Sequence, residues 1–101
     1  MPEVARGDGA DTVSTGHPCD VTTVTDECSD KVTIGGIGIV LEGHKNKTHE
    51  HEVGGVCVPH NVALSSFSSK VSVGGKGVGR KGDSYGSEVI TSGSSKLIIG
   101  G

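Results

Sequence analysis

The stretch "SDKVTIGG" (residues 29–36) returns as "SSKVSVGG" (68–75) and again as "SSKLIIGG" (94–101), at shifts of 39 and 26 residues, with five of eight letters kept at each step. Such self-similarity is read first, because one unit used several times fixes the architecture. Within each copy the apolar residues alternate. Val32 and Ile34, Val71 and Val73, and Leu97 and Ile99 take one face and leave Thr33, Ser72 and Ile98 on the other, which is the period of a strand. The paired glycines that follow supply the positive φ of a tight hairpin turn. The likeness of the first two copies runs on, since Gly38 and Gly43 fall on Gly77 and Gly82, and "VARGD" (4–8) reads as the end of the same unit. No window of ten or more residues has helical spacing free of glycine. The expectation is an all-β chain, one domain over residues 1–101, with three hairpins or hairpin fragments around a pseudo-three-fold axis. Longer polar connections, at 9–23, 43–62 and 83–89, are read as loops converging on the opposite side: a sheeted base and a pinned summit.

Composition says why the summit needs pinning. With 18 glycines, one Phe, one Tyr and no Trp in 101 residues, the apolar material is mostly Val, Ile and Leu, and a core built from it is thin. Chains with so little to bury recruit a staple, here a bound metal or a partner surface. The net charge of −3 comes without a basic face interleaved with aromatics, which excludes nucleic acid and anionic membrane as ready partners. No apolar run approaches the ~18 residues that span a bilayer, and "MPEVARGDGA" has no signal peptide character, so a soluble chain without a secretory address is expected. Cys19, Cys28 and Cys57 cannot all pair. An odd count without a signal segment predicts reduced thiols, at least one of them a ligand.

All five histidines and two of the three cysteines lie in the polar connections: "STGHPCD" (14–20), "EGHKNKTHEH" (42–51) and "VCVPH" (56–60). Zinc takes four N or S ligands in a tetrahedron, and Cys-x-x-His is a common pair spacing. Cys57 and His60 fit it, with Pro59 stiffening the turn assumed between them. His49 or His51 offers a third ligand and His17 a fourth; His44 and Cys19 are alternatives. One Cys with three His is a closed, structural shell, and a catalytic site keeps a position open. The competing readings are histidines that are merely solvated, and a metallohydrolase using Glu50 or Glu52 beside His51 as general base. A thin hairpin fold has little room for the pocket an enzyme requires, so no enzyme is expected. Cys28 aligns with Phe67 and Gly93 of the other copies and reads as a small core residue. "GKGVG" (75–79) lacks the helix of a phosphate loop, "RGD" (6–8) belongs to the repeat, and "NKT" (46–48) lacks a secretory context.

Taken together, "VARGD", "TGHPC" (15–19), the Ser-led strands ending in Gly-Gly, "GD" (82–83) and a C-terminus on the third strand resemble the PAAR-repeat proteins along essentially the whole chain. These are conical tips of the trimeric β-helical spikes of contractile phage tails and type VI secretion systems. The resemblance implies a cone of three β-repeats, one zinc or another transition metal such as iron near the apex, and a base docked on a spike of the VgrG or phage central-spike type. It implies a place at a phage baseplate tip in the virion, or in a cytoplasmic assembly delivered outward, with transient contact with the target membrane. Carried over by position, His17, His49 and His60 are the histidine ligands, and His44 stands where an Asp is usual. The departures are specific. The namesake Pro-Ala-Ala-Arg is reduced to "GVGR" (77–80) with "GIVL" (38–41) in the other copy. The segment "DSYGSE" (83–88), where the family often has its Cys ligand, holds no thiol, so Cys57 is the candidate fourth ligand, an arrangement closer to the phage branch. The docking base then consists of Val32, Ile34, Val71, Val73, Leu97, Ile98 and Ile99. A freestanding zinc-stapled β-module that binds some other protein is the alternative.

Overall fold

The computed structural model describes residues 2–100, and among them every regular element is a strand. In chain order these are β1 (Glu3–Val4), β2 (Thr12–Ser14), β3 (Thr22–Val24), β4 (Thr33–Ile34), β5 (Ile37–Gly38), β6 (His49–Val53), β7 (Val56–His60), β8 (Ser72–Val73), β9 (Lys76–Gly77), β10 (Ser84–Tyr85), β11 (Glu88–Ile90) and β12 (Ser94–Ile98). The chain is small and compact, with a radius of gyration of 13.0 Å and extents of 40 × 24 × 22 Å.

Two of the repeated stretches form hairpins. β4 pairs with β5 across Gly35–Gly36 and β8 with β9 across Gly74–Gly75, the glycines having φ of 60°, 84°, 59° and 82°. That is the left-handed region a two-residue hairpin turn requires at both positions. The Ser-x-Lys opening of each copy has a local cause: Ser29 Oγ accepts from the Lys31 and Val32 amides, Ser68 Oγ from those of Lys70 and Val71, and Ser94 Oγ from that of Lys96. Such serine turns set the chain's direction into the strand. The third copy differs. β12 pairs with β1, Glu3 opposite Ile98, and the turn expected at Gly100–Gly101 falls partly outside the described residues.

Three segments, 3–8, 38–43 and 77–82, meet side by side. The Ala5 amide donates to Gly79 O (3.0 Å), that of Gly79 to Val40 O (2.8 Å) and that of Val40 to Ala5 O (3.0 Å), a closed ring of backbone bonds. A second cycle surrounds it: Gly7 N to Gly38 O, Glu42 N to Gly77 O and Lys81 N to Glu3 O, each 2.8 Å. Alternation along the segments feeds two apolar clusters. Val4, Ile39, Leu41, Val78 and Ile99 form one, with Val32, Ile34 and Val73 half-buried against it. Ala5, Val13, Val40, Leu64, Tyr85 and Ile90 form the other. Close approach explains why the crossing is glycine-rich: a Cβ on Gly38 stands 1.9 Å from Ser29 O.

Ile99 needs correcting as a docking residue, because only 8% of it is exposed and it belongs to the core; Val71, Leu97 and Ile98 are open, at 38%, 40% and 49%. The segments read as loops need correcting too. β2, β3, β10 and β11 form one antiparallel sheet in the order β10-β11-β2-β3, and residues 49–60 form the β6–β7 hairpin, with five paired positions. Their period-two pattern is carried by polar residues: His49 is buried and His51 half-buried, while Glu50 and Glu52 are exposed. A search for alternating apolar residues passes over it.

Candidate metal centre

Register brings the site together. In the β6–β7 hairpin His49 stands opposite His60, and directly opposed residues share a face. The same alternation decides against Cys57. In a turn, Cys-x-x-His converges on one point, but 57–60 is strand, and residues three apart in a strand face opposite ways. Cys57 is instead bonded to Cys19, so neither sulfur is a free thiolate ligand, and the expectation of reduced thiols is corrected for this pair. Cys28 remains free and half-buried beside Gly7 and Gly38, and burial raises its thiol pKa.

Glu88, on β11, takes the fourth place. Its Oε2 lies 2.5 Å from His17 Nε2, 2.8 Å from His49 Nε2 and 3.0 Å from His60 Nε2, while the His49 and His60 Nε2 atoms are 2.8 Å apart. The donor atoms of His17, His49, His60 and Glu88 all lie within 4.8 Å of one another, a group that can hold a metal ion. The side chains of His49 and Glu88 are 2% and 1% exposed; those of His17 and His60, at 22% and 23%, line the open side.

The outer contacts set the protonation of the inner ones. His49 Nδ1 lies 2.8 Å from Lys47 O, and a carbonyl only accepts, so this nitrogen carries a proton and Nε2 is the one turned to Glu88. Asn46, fully buried, donates through Nδ2 to Glu88 Oε1 (2.7 Å) and accepts at Oδ1 from the Val62 amide (2.9 Å), leaving Oε2 to the histidines. Burial pushes the Glu88 carboxyl up, but the bonds from His49, Asn46 and His17 outweigh it, and the pKa lies below the ordinary range. A carboxylate oxygen and three ring nitrogens converging on one point are a donor set that a cation can share. Ligands around a tetrahedral zinc at ~2.0–2.1 Å sit about 3.3 Å apart, so binding one requires the contacts at Glu88 to open by about 0.3–0.8 Å.

The other sequence candidates stand aside. His51 stacks on His60, with ring centroids 3.7 Å apart and planes 14° from parallel, and its ring centroid lies 5.6 Å from that of His17, outside the group of four. Desolvation and the neighbouring His60 and His17 lower its pKa. His44 is elsewhere: its Nδ1 accepts from the Leu41 amide (3.0 Å), as Asp83 Oδ2 accepts from the Arg80 amide (2.9 Å) and Asp11 Oδ2 from that of Arg6 (2.7 Å). It fills the Asp position in kind. Glu50 and Glu52 lie on the hairpin face away from His49.

No protein-family model matches the chain, and a search of the curated proteins found no match. Glu88 was legible in "DSYGSE" had oxygen donors been weighed with thiols and imidazoles, since carboxylates are ordinary zinc ligands.

Proposed function

We propose that this protein is a metal-pinned structural tip, which caps the blunt end of a trimeric β-helical spike of a contractile injection machine. The observation that carries the reading is the closed ring of Ala5, Val40 and Gly79, with its second cycle of Gly7, Glu42 and Lys81. One chain there presents three near-equivalent segments, which is what matching a three-fold partner requires of a monomer. The serine turns at Ser29, Ser68 and Ser94 support the same pseudo-three-fold arrangement, the third unit being assembled from β12 and β1.

A blunt trimer ends in three open strand edges, and unpaired edges invite uncontrolled pairing. Two hairpins and the β1–β12 pair on one chain cover all three, and the exposed Val71, Leu97 and Ile98 are the apolar contacts offered to them. At the other end His17, His49, His60 and Glu88 hold the ion, zinc by the chemistry of a three-histidine, one-carboxylate set. Four protein ligands close the shell, so the ion cross-links β6, β7, β11 and the His17 turn and makes the far end stiff. The function follows from rigidity and shape, and no chemical step is needed for a tip driven through an envelope.

The test is a mass measurement on the chain mixed with a trimeric β-helical spike. One chain per trimer, lost in an Ile98→Lys variant that stays folded, supports the cap; zinc binding without such a complex favours the freestanding zinc-stapled module.

A further inference from the structure

The four site residues are not held alike. His49, His60 and Glu88 stand on strands β6, β7 and β11, whereas His17 lies in the turn between β2 and β3. That turn is closed on itself by bonds from the Thr15 amide to Val21 O (3.0 Å) and from the His17 amide to Thr15 Oγ (3.0 Å). Its ties to the hairpin besides the site are the Glu50 amide on Asp20 Oδ2 (2.7 Å) and the Cys19–Cys57 disulfide, which joins positions 38 apart in sequence. Cys19 is two residues after His17, and Cys57 three before His60. The cross-link therefore fixes the one loop-borne ligand against the strand that carries another. It is also reachable: Cys57 is exposed and Cys19 half-buried.

We propose that the Cys19–Cys57 disulfide is a redox latch on the metal centre, set for tight binding when oxidised and for release when reduced. This rests on the metal reading above. A thiolate of a small thiol or a dithiol reductant attacks the exposed Cys57 sulfur, forming a mixed disulfide and expelling the Cys19 thiolate, which takes up a proton. A second thiolate attacks the reductant's sulfur and releases Cys57 in the same way. Two electrons and two protons enter the protein, two cysteine thiols form, and the reductant leaves as its disulfide. The freed turn then samples positions away from Glu88, and His17 must be ordered anew for each binding event. Loss of a support of this kind lowers metal affinity on the order of 10- to 100-fold.

The experiment is a zinc competition against a chromophoric chelator, on the oxidised full chain, the same chain reduced with a phosphine, and the Cys19→Ser/Cys57→Ser variant. The expected result is tight one-to-one binding when oxidised and 10- to 100-fold weaker binding in the other two. His17→Ala should cost far less in the double-serine background than in the oxidised chain, because the tether's contribution acts through that residue. Should the serine variant fold poorly without metal, zinc release is timed from the loaded, folded wild type after reductant is added, with free thiols counted in parallel. Unchanged affinity in a folded serine variant, tighter binding on reduction, or an unchanged release rate with both thiols free overturns the latch and leaves the metal site standing. An oxidised chain that binds no zinc removes both readings.

Discussion

Two regions of the molecule are held by different physics. At the hairpin end, Val4, Ile39, Leu41, Val78 and Ile99 are buried around the backbone ring, and the fold there rests on apolar contact and close packing. At the histidine end, the β6–β7 hairpin leaves Val53 54% and Val56 61% exposed and belongs to neither apolar cluster. It is attached instead by the disulfide, the Asp20–Glu50 bond and the converging group at Glu88. The two apolar clusters do not extend to the β6–β7 hairpin, which is held by cross-linking where the ring is held by burial.

The sharpest way to break this comparison is Glu88→Ala, or a strong chelator on the wild type. Stoichiometric zinc should be lost, and with it much of a contribution on the order of 10 kcal/mol. Amide exchange should accelerate first in β6, β7 and β11 while residues 39–41 and 78–79 stay protected; simultaneous loss at both ends would mean one cooperative unit and sink the division.

The converse change is Gly38→Ala. Its Cβ meets the Ser29 carbonyl carbon's oxygen at 1.9 Å, so backbone must move, at a cost of about 3 kcal/mol or more. Denaturant unfolding should show that loss, with zinc affinity of the folded fraction unchanged. A variant that kept stability but lost zinc would reverse the assignment of the two ends.

A smaller, pH-dependent effect belongs to His44. Burial, the largest cause, lowers its pKa from the ordinary 6.5, and its Nδ1 must stay unprotonated to accept from Leu41. The folded state therefore binds this proton less readily than the unfolded one. Its contribution is fully present above pH 6.5 and lost as pH falls through the folded value. His44→Asp should flatten that part of the stability profile between about pH 7 and 5, since a carboxylate accepts throughout; a profile identical to the wild type would show that His44 does not titrate there.

Smallest is Tyr85→Phe. The Tyr85 hydroxyl is buried without a hydrogen-bond partner among the described residues, so removing it should leave stability unchanged or raise it by about 1 kcal/mol, measured as a denaturation midpoint. A clear loss of stability would show that the hydroxyl is satisfied after all.

How much was legible follows the same division. Val32, Ile34, Val71 and Val73 showed the period of a strand and were assigned to the docking base, but the structure packs Val32, Ile34 and Val73 against the core and leaves Val71 open, because alternation marks a face without saying what covers it. His17, His49 and His60 were found from residue type and spacing, and they meet. Cys57 was misjudged because spacing is blind to backbone conformation: three residues along a turn and three along a strand lead to opposite faces. Glu88 and the Cys19–Cys57 bond escaped because each joins segments far apart in sequence, β11 to β6 and the His17 turn to β7. Long-range register leaves no local mark.

The pairing of β1 with β12 has a consequence for how the protein is made. Residues 3 and 4 leave a ribosome well before their strand partner, residues 94–98, and Ala5 must also find Gly79 to complete the ring. The hairpins β4–β5 and β8–β9 can form as soon as they emerge, whereas the structure that unites them waits for β12. Until β12 emerges, β1 has an unsatisfied edge, and crowded nascent chains at that stage are the ones exposed to mispairing.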